Sequence, residues 1–294
     1  MEAGYRDYKN AIEIVNLSKS YDGFALQNVN MIVPKGSIMG FVGQNGAGKT
    51  TTIRSVLNMI TTDSGEITIL GYDNKKEEKM AKEGIGVVFD EMGYHKALSP
   101  IQLNKMFRNI YQNWDEEVFF GYLDKFGLPR KKKAGKFSRG MQMKLQIAVA
   151  LSHHARLLIM DEPTSGLDPI VRNEMLDVFL EFVEDENHSI LLSSHITSDL
   201  ERIADYITFI DRGKILISDE RLNILEQHGL IKCAREEVGK IADSYVVGKR
   251  VSQFGAEILV RDKEDCIREY PDLLIEDVDL EEIMLFCVMG NKGA

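Results

Sequence analysis

The stretch GFVGQNGAGKTTTIRSVL, residues 40–57, constrains this chain more than any other. It follows an apolar, strand-like run and opens a helix-forming one. It matches the pattern G-x-x-x-x-G-K-[ST] at Gly43, Gly48, Lys49 and Thr50. Glycines there let the backbone wrap around a phosphate, so that successive N–H groups and a helix N-terminus face the anion. Gln44, Asn45, Gly46, Ala47 and Thr51 complete the loop. Lys49 supplies a point charge toward β- and γ-phosphates, and the Thr50 hydroxyl is placed to ligate Mg²⁺. The strand–loop–helix context counts against a glycine-rich turn without a ligand.

Around this loop, strand-like and helical stretches alternate. AIEIVNL, SIMGFVG, EITIL, IGVVF, RLLIMD, SILLSS and YITFID read as strands. Several are unbroken apolar runs, as expected of strands buried on both faces of a largely parallel sheet. Helical patterns follow Lys49, Pro169 and Ser194, which predicts an α/β fold. Residues of about 92–153 carry helix formers and few strand signals, and read as a helical insertion. Beyond residue 220 the texture changes. SYVVGKR and AEILVRD suggest a hairpin and DLEEIMLFCVMG a final amphipathic helix, together a small α+β appendage. The expected division is an α/β domain at 1–220, holding the helical subdomain, and a small domain at 221–294.

Two strand ends carry further chemistry. LLIMDEPTSGLD closes a buried strand with Asp161, placed to hold Mg²⁺ through water, and Glu162, placed beside an attacking water. LLSSH ends another strand at His195, which alone would read as a surface or helix-start residue. In FSRGMQMK, Ser138 precedes a helix start with Arg139 and Lys144 nearby, a second candidate anion site. Tyr21, in SKSYDGFAL, reads either as a loop aromatic or as a ring that stacks on a base.

The net charge of −10 argues against a general nucleic-acid binder. One tract departs from it: residues 125–156 hold nine Lys or Arg and no acidic residue. Its Arg130–Lys133 run reads as a solvated basic loop. Cys233, Cys266 and Cys287 are widely spaced and form no Cys-x-x-Cys, so neither a disulfide framework nor a zinc site is expected, and a reducing cytosol fits. The polar opening MEAGYRDYKN predicts no secretory leader. No apolar run approaches the ~18 residues that span a bilayer.

Tyr21, the loop 43–51, FSRGMQ, LLIMDEPTSGLD and the Ser-Ser-His ending at His195 resemble, in order and rough spacing, the motifs of ABC-type ATPases, the nucleotide-binding subunits of ABC transporters. The resemblance covers roughly residues 11–217. It implies a P-loop ABC-type ATPase core with a helical subdomain insertion, ATP and Mg²⁺ as ligands, and two cassettes packed head to tail. Each ATP would then lie between the P-loop of one chain and the Ser138–Gly140 segment of the other. The resemblance makes Tyr21 the base-stacking aromatic, Glu162 the catalytic base, His195 the γ-phosphate sensor and Asp168 the aspartate at the subunit contact. Two departures stand out. The family's usual Leu-Ser-Gly-Gly-Gln reads Phe137-Ser138-Arg139-Gly140-Met141 here. Asp90, followed by Glu91, stands where the family usually has a glutamine that reaches Mg²⁺. Asp90 is expected either to act on the metal through a bridging water or to cap the start of the helical insertion.

The expected function is ATP hydrolysis at the cytoplasmic face of a membrane, driving a separate membrane-spanning permease. A homodimer is the expected assembly. The tail EEIMLFCVMG resembles those of bacterial subunits that pair with six-helix exporter permeases, which points to export. A soluble ABC ATPase that remodels a protein or nucleic-acid complex is the alternative. Against it stand the single cassette, the acidic surface and the absence of a long coiled-coil insertion.

Overall fold

The computed structural model describes residues 6–290. The first five residues of the polar opening run lie outside the described residues. Two long strands come first, β1 (Asn10–Tyr21) and β2 (Phe24–Pro34), turning at Gly23 with φ 79°. Next come the wholly buried β3 (Ile38–Val42), helix α1 (Lys49–Val56), β4 (Ser64–Ile69) and β5 (Tyr72–Asp73). Strands β2-β1-β4-β5 form an antiparallel sheet in that order. The apolar runs at 11–17 and 66–70 therefore belong to a separate sheet and not to the parallel one. Sequence reading missed β2. Its partner β1 shifts register between Ile14 and Lys19, around Asn16 at φ 52°, and β2 has Asn28 at φ 49°. These irregularities break the period-2 pattern that identifies a strand.

Helix α2 (Glu78–Glu83) leads to β6 (Ile85–Val88). The expected helical insertion follows as α3 (Pro100–Phe107), α4 (Glu116–Lys125) and α5 (Arg139–Leu151), with a 3₁₀ turn at Ala134–Lys136. The α/β alternation resumes with β7 (Leu157–Asp161), α6 (Pro169–Phe182), β8 (Ser189–Ser194), α7 (Thr197–Ile203), β9 (Tyr206–Asp211) and β10 (Lys214–Glu220). The central sheet has the order β10-β9-β3-β8-β7-β6, all parallel except the β10 edge. Both its faces are covered. Ile38, Val42, Leu158, Met160, Ile190 and Leu192 point into a core shared with the helices. Met39, Phe41, Leu157, Ile159 and Leu191 point into a second core shared with α1 and the antiparallel sheet. Burial on both faces explains why these strands read as continuous apolar runs.

The remainder comprises α8 (Arg221–Gln227), β11 (Gly229–Cys233), β12 (Val246–Val251), β13 (Ala256–Val260), α9 (Lys263–Glu269), β14 (Ile275–Glu276) and α10 (Leu280–Gly290). Its antiparallel sheet has the order β12-β13-β11-β14, and the expected hairpin is the β12–β13 pair. Leu280, Ile283, Phe286 and Val288 of α10 join the helix-side core of the central sheet. No helix among the described residues is long and apolar enough to cross a membrane.

Candidate nucleotide site

Parallel pairing decides where the motifs meet. Val42 is in register with Ser194, and Asp161 with Ser193, so β3, β7 and β8 end side by side. Their carboxyl ends therefore present the 43–51 loop, Asp161–Glu162 and Ser193–His195 to one crevice, where open α/β sheets bind ligands.

The loop is held by close approach. A Cβ on Gly43 would lie 2.4 Å from the Ile210 carbonyl oxygen of β9, and Gly48 sits at φ 120° beside Leu26. Neither position tolerates a side chain. The Ala47 carbonyl accepts from the Gly213 amide at 2.8 Å, tying the loop to the β9–β10 turn. Gln44, Asn45 and Gly46 face solvent, while Lys49 is buried and Thr50 and Thr51 are half-buried.

Lys49 Nζ donates to the Gly43 carbonyl at 2.6 Å and pairs with Glu162 Oε1 at 3.1 Å. The Thr50 hydroxyl donates to Asp161 Oδ2 at 2.8 Å, and the Ser193 hydroxyl donates to Asp161 Oδ1 at 2.6 Å. Glu162 leaves β7 at φ 54°, a left-handed conformation that costs a non-glycine residue energy and recurs at functional sites. Its amide donates to both the carbonyl and the hydroxyl of Ser193, each at 3.1 Å. His195 Nδ1 lies 2.6 Å from Glu162 Oε2, and the His195 amide donates to the same oxygen at 3.3 Å. One carboxylate thus lies between an ammonium and an imidazole. The other is a hard oxygen donor adjoining a hydroxyl, the chemistry Mg²⁺ prefers.

Ser138 caps α5 as expected, accepting the Met141 amide at 3.3 Å. A Cβ on Gly140 would come within 3.2 Å of Val171 on α6, so the backbone is crowded there. Asp168 caps α6, accepting from the amides of Ile170 and Val171 at 3.1 Å each. Tyr21 is half-exposed at the end of β1, with Lys19 Nζ 5.3 Å from the ring centre. Asp90 lies just past β6. Its carboxylate pairs with the guanidinium of Arg139. The side-chain oxygen that adjoins Asp161 Oδ2 is that of Thr50.

A sequence model of the family described as ABC transporter matches residues 26–165. The bacitracin transport ATP-binding protein BcrA of Bacillus licheniformis is 39% identical over 212 residues, covering 70% of this chain and 68% of BcrA. The chain belongs to the family of ABC transporter ATP-binding proteins. The lantibiotic transport ATP-binding protein SrtF of Streptococcus pyogenes is 36% identical, covering 71% of this chain and 90% of SrtF. A solved ATP-binding subunit of an ABC transporter superposes with a TM-score of 0.67 at 25% identity, over 74% of this chain and 92% of that one. The ABC-type ATPase fold follows, and so does the activity: the protein binds ATP and hydrolyses it in the service of transport.

Within this ABC subunit, Ser193 is a residue to which the sequence reading gave no role of its own, although it stands in the Ser-Ser-His run. It is fully buried and bonds both the Asp161 side chain and the Glu162 backbone. The available signal was the serine pair Ser193–Ser194 that closes the apolar run Ile190–Leu192 just ahead of His195. Ser165 was also missed; its carbonyl accepts from Arg139 Nε at 2.8 Å.

Proposed function

We propose that this ABC subunit hydrolyses MgATP as one half of a head-to-tail homodimer, seated on the cytoplasmic face of a separate membrane-spanning permease, and that the complex exports its cargo. The observation that carries the reading is the network joining Lys49, Glu162 and His195 beside the Thr50–Asp161–Ser193 relay. Export is supported by the relatives named for bacitracin and lantibiotic transport. Residues 221–294 are read as a small C-terminal unit attached to the ATPase domain.

In this reading the amides of Gly43–Thr51 and the Lys49 ammonium bind the phosphates, and Tyr21 stacks on the base. Thr50 and Asp161 would hold Mg²⁺, which when bound supplies positive charge against phosphate oxygens. Glu162 orients the attacking water and accepts its proton, while His195 fixes the carboxylate. Ser138 and the Gly140 amide contact the nucleotide held by the partner's P-loop. Asp168 keeps the subunit-contact loop in shape through its cap.

Glu162→Gln tests the core of this assignment. The amide keeps the shape of the side chain but cannot serve as base. Turnover should fall by about 10²–10⁴-fold. ATP binding should persist, and an ATP-bound dimer should accumulate on size exclusion. Near-wild-type phosphate release would remove Glu162 from the chemistry.

A further inference from the structure

Two of the positions at which this sequence leaves the family pattern, Asp90 and Arg139, are bonded to each other. Asp90 follows the end of β6, Arg139 is the first residue of α5, and their carboxylate and guanidinium form an ion pair. Arg139 Nε also donates to the Ser165 carbonyl, in the loop between β7 and α6. Its side chain lies against Gly166, where a Cβ would meet Arg139 Nε at 3.1 Å. One residue nearer the end of β6, the Phe89 carbonyl accepts from the Gln146 side chain of α5 at 3.1 Å. The backbone link from α5 to this strand end therefore does not depend on the ion pair, which leaves the pair available for another task.

Exposure decides how tightly the pair is held. The side chains of Arg139 and Asp90 are 47% and 49% exposed. Ion pairs this open gain little in water and exchange partners readily. A guanidinium offers a planar set of donors that suits phosphate oxygens as well as carboxylate oxygens, and a triphosphate carries more charge than one carboxylate. Arg139 stands between Ser138 and Gly140, the residues assigned above to the partner's nucleotide.

We infer that Arg139 is a nucleotide-contacting residue that exchanges partners: Asp90 holds it within the free chain, and the phosphates of ATP bound by the partner subunit take it over when the dimer closes. This rests on the head-to-tail reading. Asp90 then competes with the nucleotide for Arg139. A purely structural tie would need both residues equally, whereas competition makes their removal act in opposite directions.

The test uses the full-length chain carrying Glu162→Gln, with the ATP concentration for half-maximal dimer formation read by sedimentation. Asp90→Asn should lower that concentration by up to about fivefold, the scale of one exposed ion pair. Arg139→Ala should raise it about tenfold, as expected for a lost charged hydrogen bond. In the Arg139→Ala background, Asp90→Asn should do nothing. Arg139→Lys should recover part of the loss, because charge is kept while the planar donor set is not. ATP binding by the monomer, read by calorimetry at low protein concentration, should not change. If Asp90→Asn and Arg139→Ala both raise the ATP requirement, the exchange is refuted and the pair is a structural tie. If the Glu162→Gln parent forms no ATP-dependent dimer, the head-to-tail reading itself fails and takes the inference with it.

Discussion

Ser193 shows how much of a site can rest on one hydroxyl. Its hydroxyl donates a hydrogen bond to Asp161 and accepts one from the Glu162 amide, so it fixes the proposed metal ligand and the proposed base together. Ser193→Ala leaves a buried carboxylate oxygen without its donor, at a cost of about 1–3 kcal/mol. Urea unfolding should register that loss, and turnover should fall with it because Asp161 is freed to rotate. Unchanged stability and rate would mean that Thr50 alone orients Asp161. Gly43→Ala is a harsher change. The added methyl would meet the Ile210 carbonyl of β9, whose residue is paired with Ile215 of β10, so the loop itself must shift and nucleotide binding should be lost.

At the scale of elements, α6 and α5 each make a checkable statement. Asp168 satisfies two otherwise free amides at the start of α6. Asp168→Ala should cost about 1 kcal/mol, whereas Asp168→Asn should cost little, since asparagine caps equally well. A large loss of activity in the Asn variant at normal stability would instead give the Asp168 charge its own role at the subunit contact. His153 lies just past the end of α5, stacked on Tyr111 with ring centres 4.0 Å apart. Burial pushes its pKa down from 6.5 to about 4. The folded chain thus refuses a proton that the unfolded chain accepts between those values. The contribution is complete above pH 6.5 and is lost as pH falls toward 4, by about 3 kcal/mol. His153→Phe should flatten the pH dependence of urea unfolding across that window. An unchanged slope would mean that His153 takes up its proton while folded.

For the whole molecule, the head-to-tail arrangement predicts complementation. Lys49→Ala and Ser138→Arg chains should each be nearly inactive as homodimers. Mixed together, they place both lesions in one composite site and leave the other intact, so turnover should return. A Lys49→Ala/Ser138→Arg double variant mixed with wild type has one lesion in every mixed site and should gain nothing. Equal behaviour of the two mixtures would mean that sites do not form between chains. The C-terminal segment makes a separate prediction. Phe286 is 2% exposed in the core that also holds Ile38 and Leu192. Leu280 donates its amide to Glu201 of α7 at 2.8 Å. Phe286→Ala should cost about 3–5 kcal/mol. Because the core is shared, calorimetry should show one transition moving down rather than a second one appearing.

Much of this was written into local sequence. The 43–51 loop announced itself because wrapping phosphate needs glycine, lysine and threonine at fixed spacing. The central strands were legible because burial on both faces demands unbroken apolar runs. The helical insertion, the β12–β13 hairpin and α10 followed from short-range patterns. Other features depended on residues distant in the chain. The antiparallel sheet could not be separated from the parallel one, since apolar runs at 11–17 and 37–42 look alike until pairing divides them. Ser193 gained its place only when β7 and β8 aligned in register. Asp90 and Arg139 looked like two unrelated departures, 49 positions apart. Only the packing of α5 against the end of β6 made them partners, because opposite charges interact through space and not along the chain.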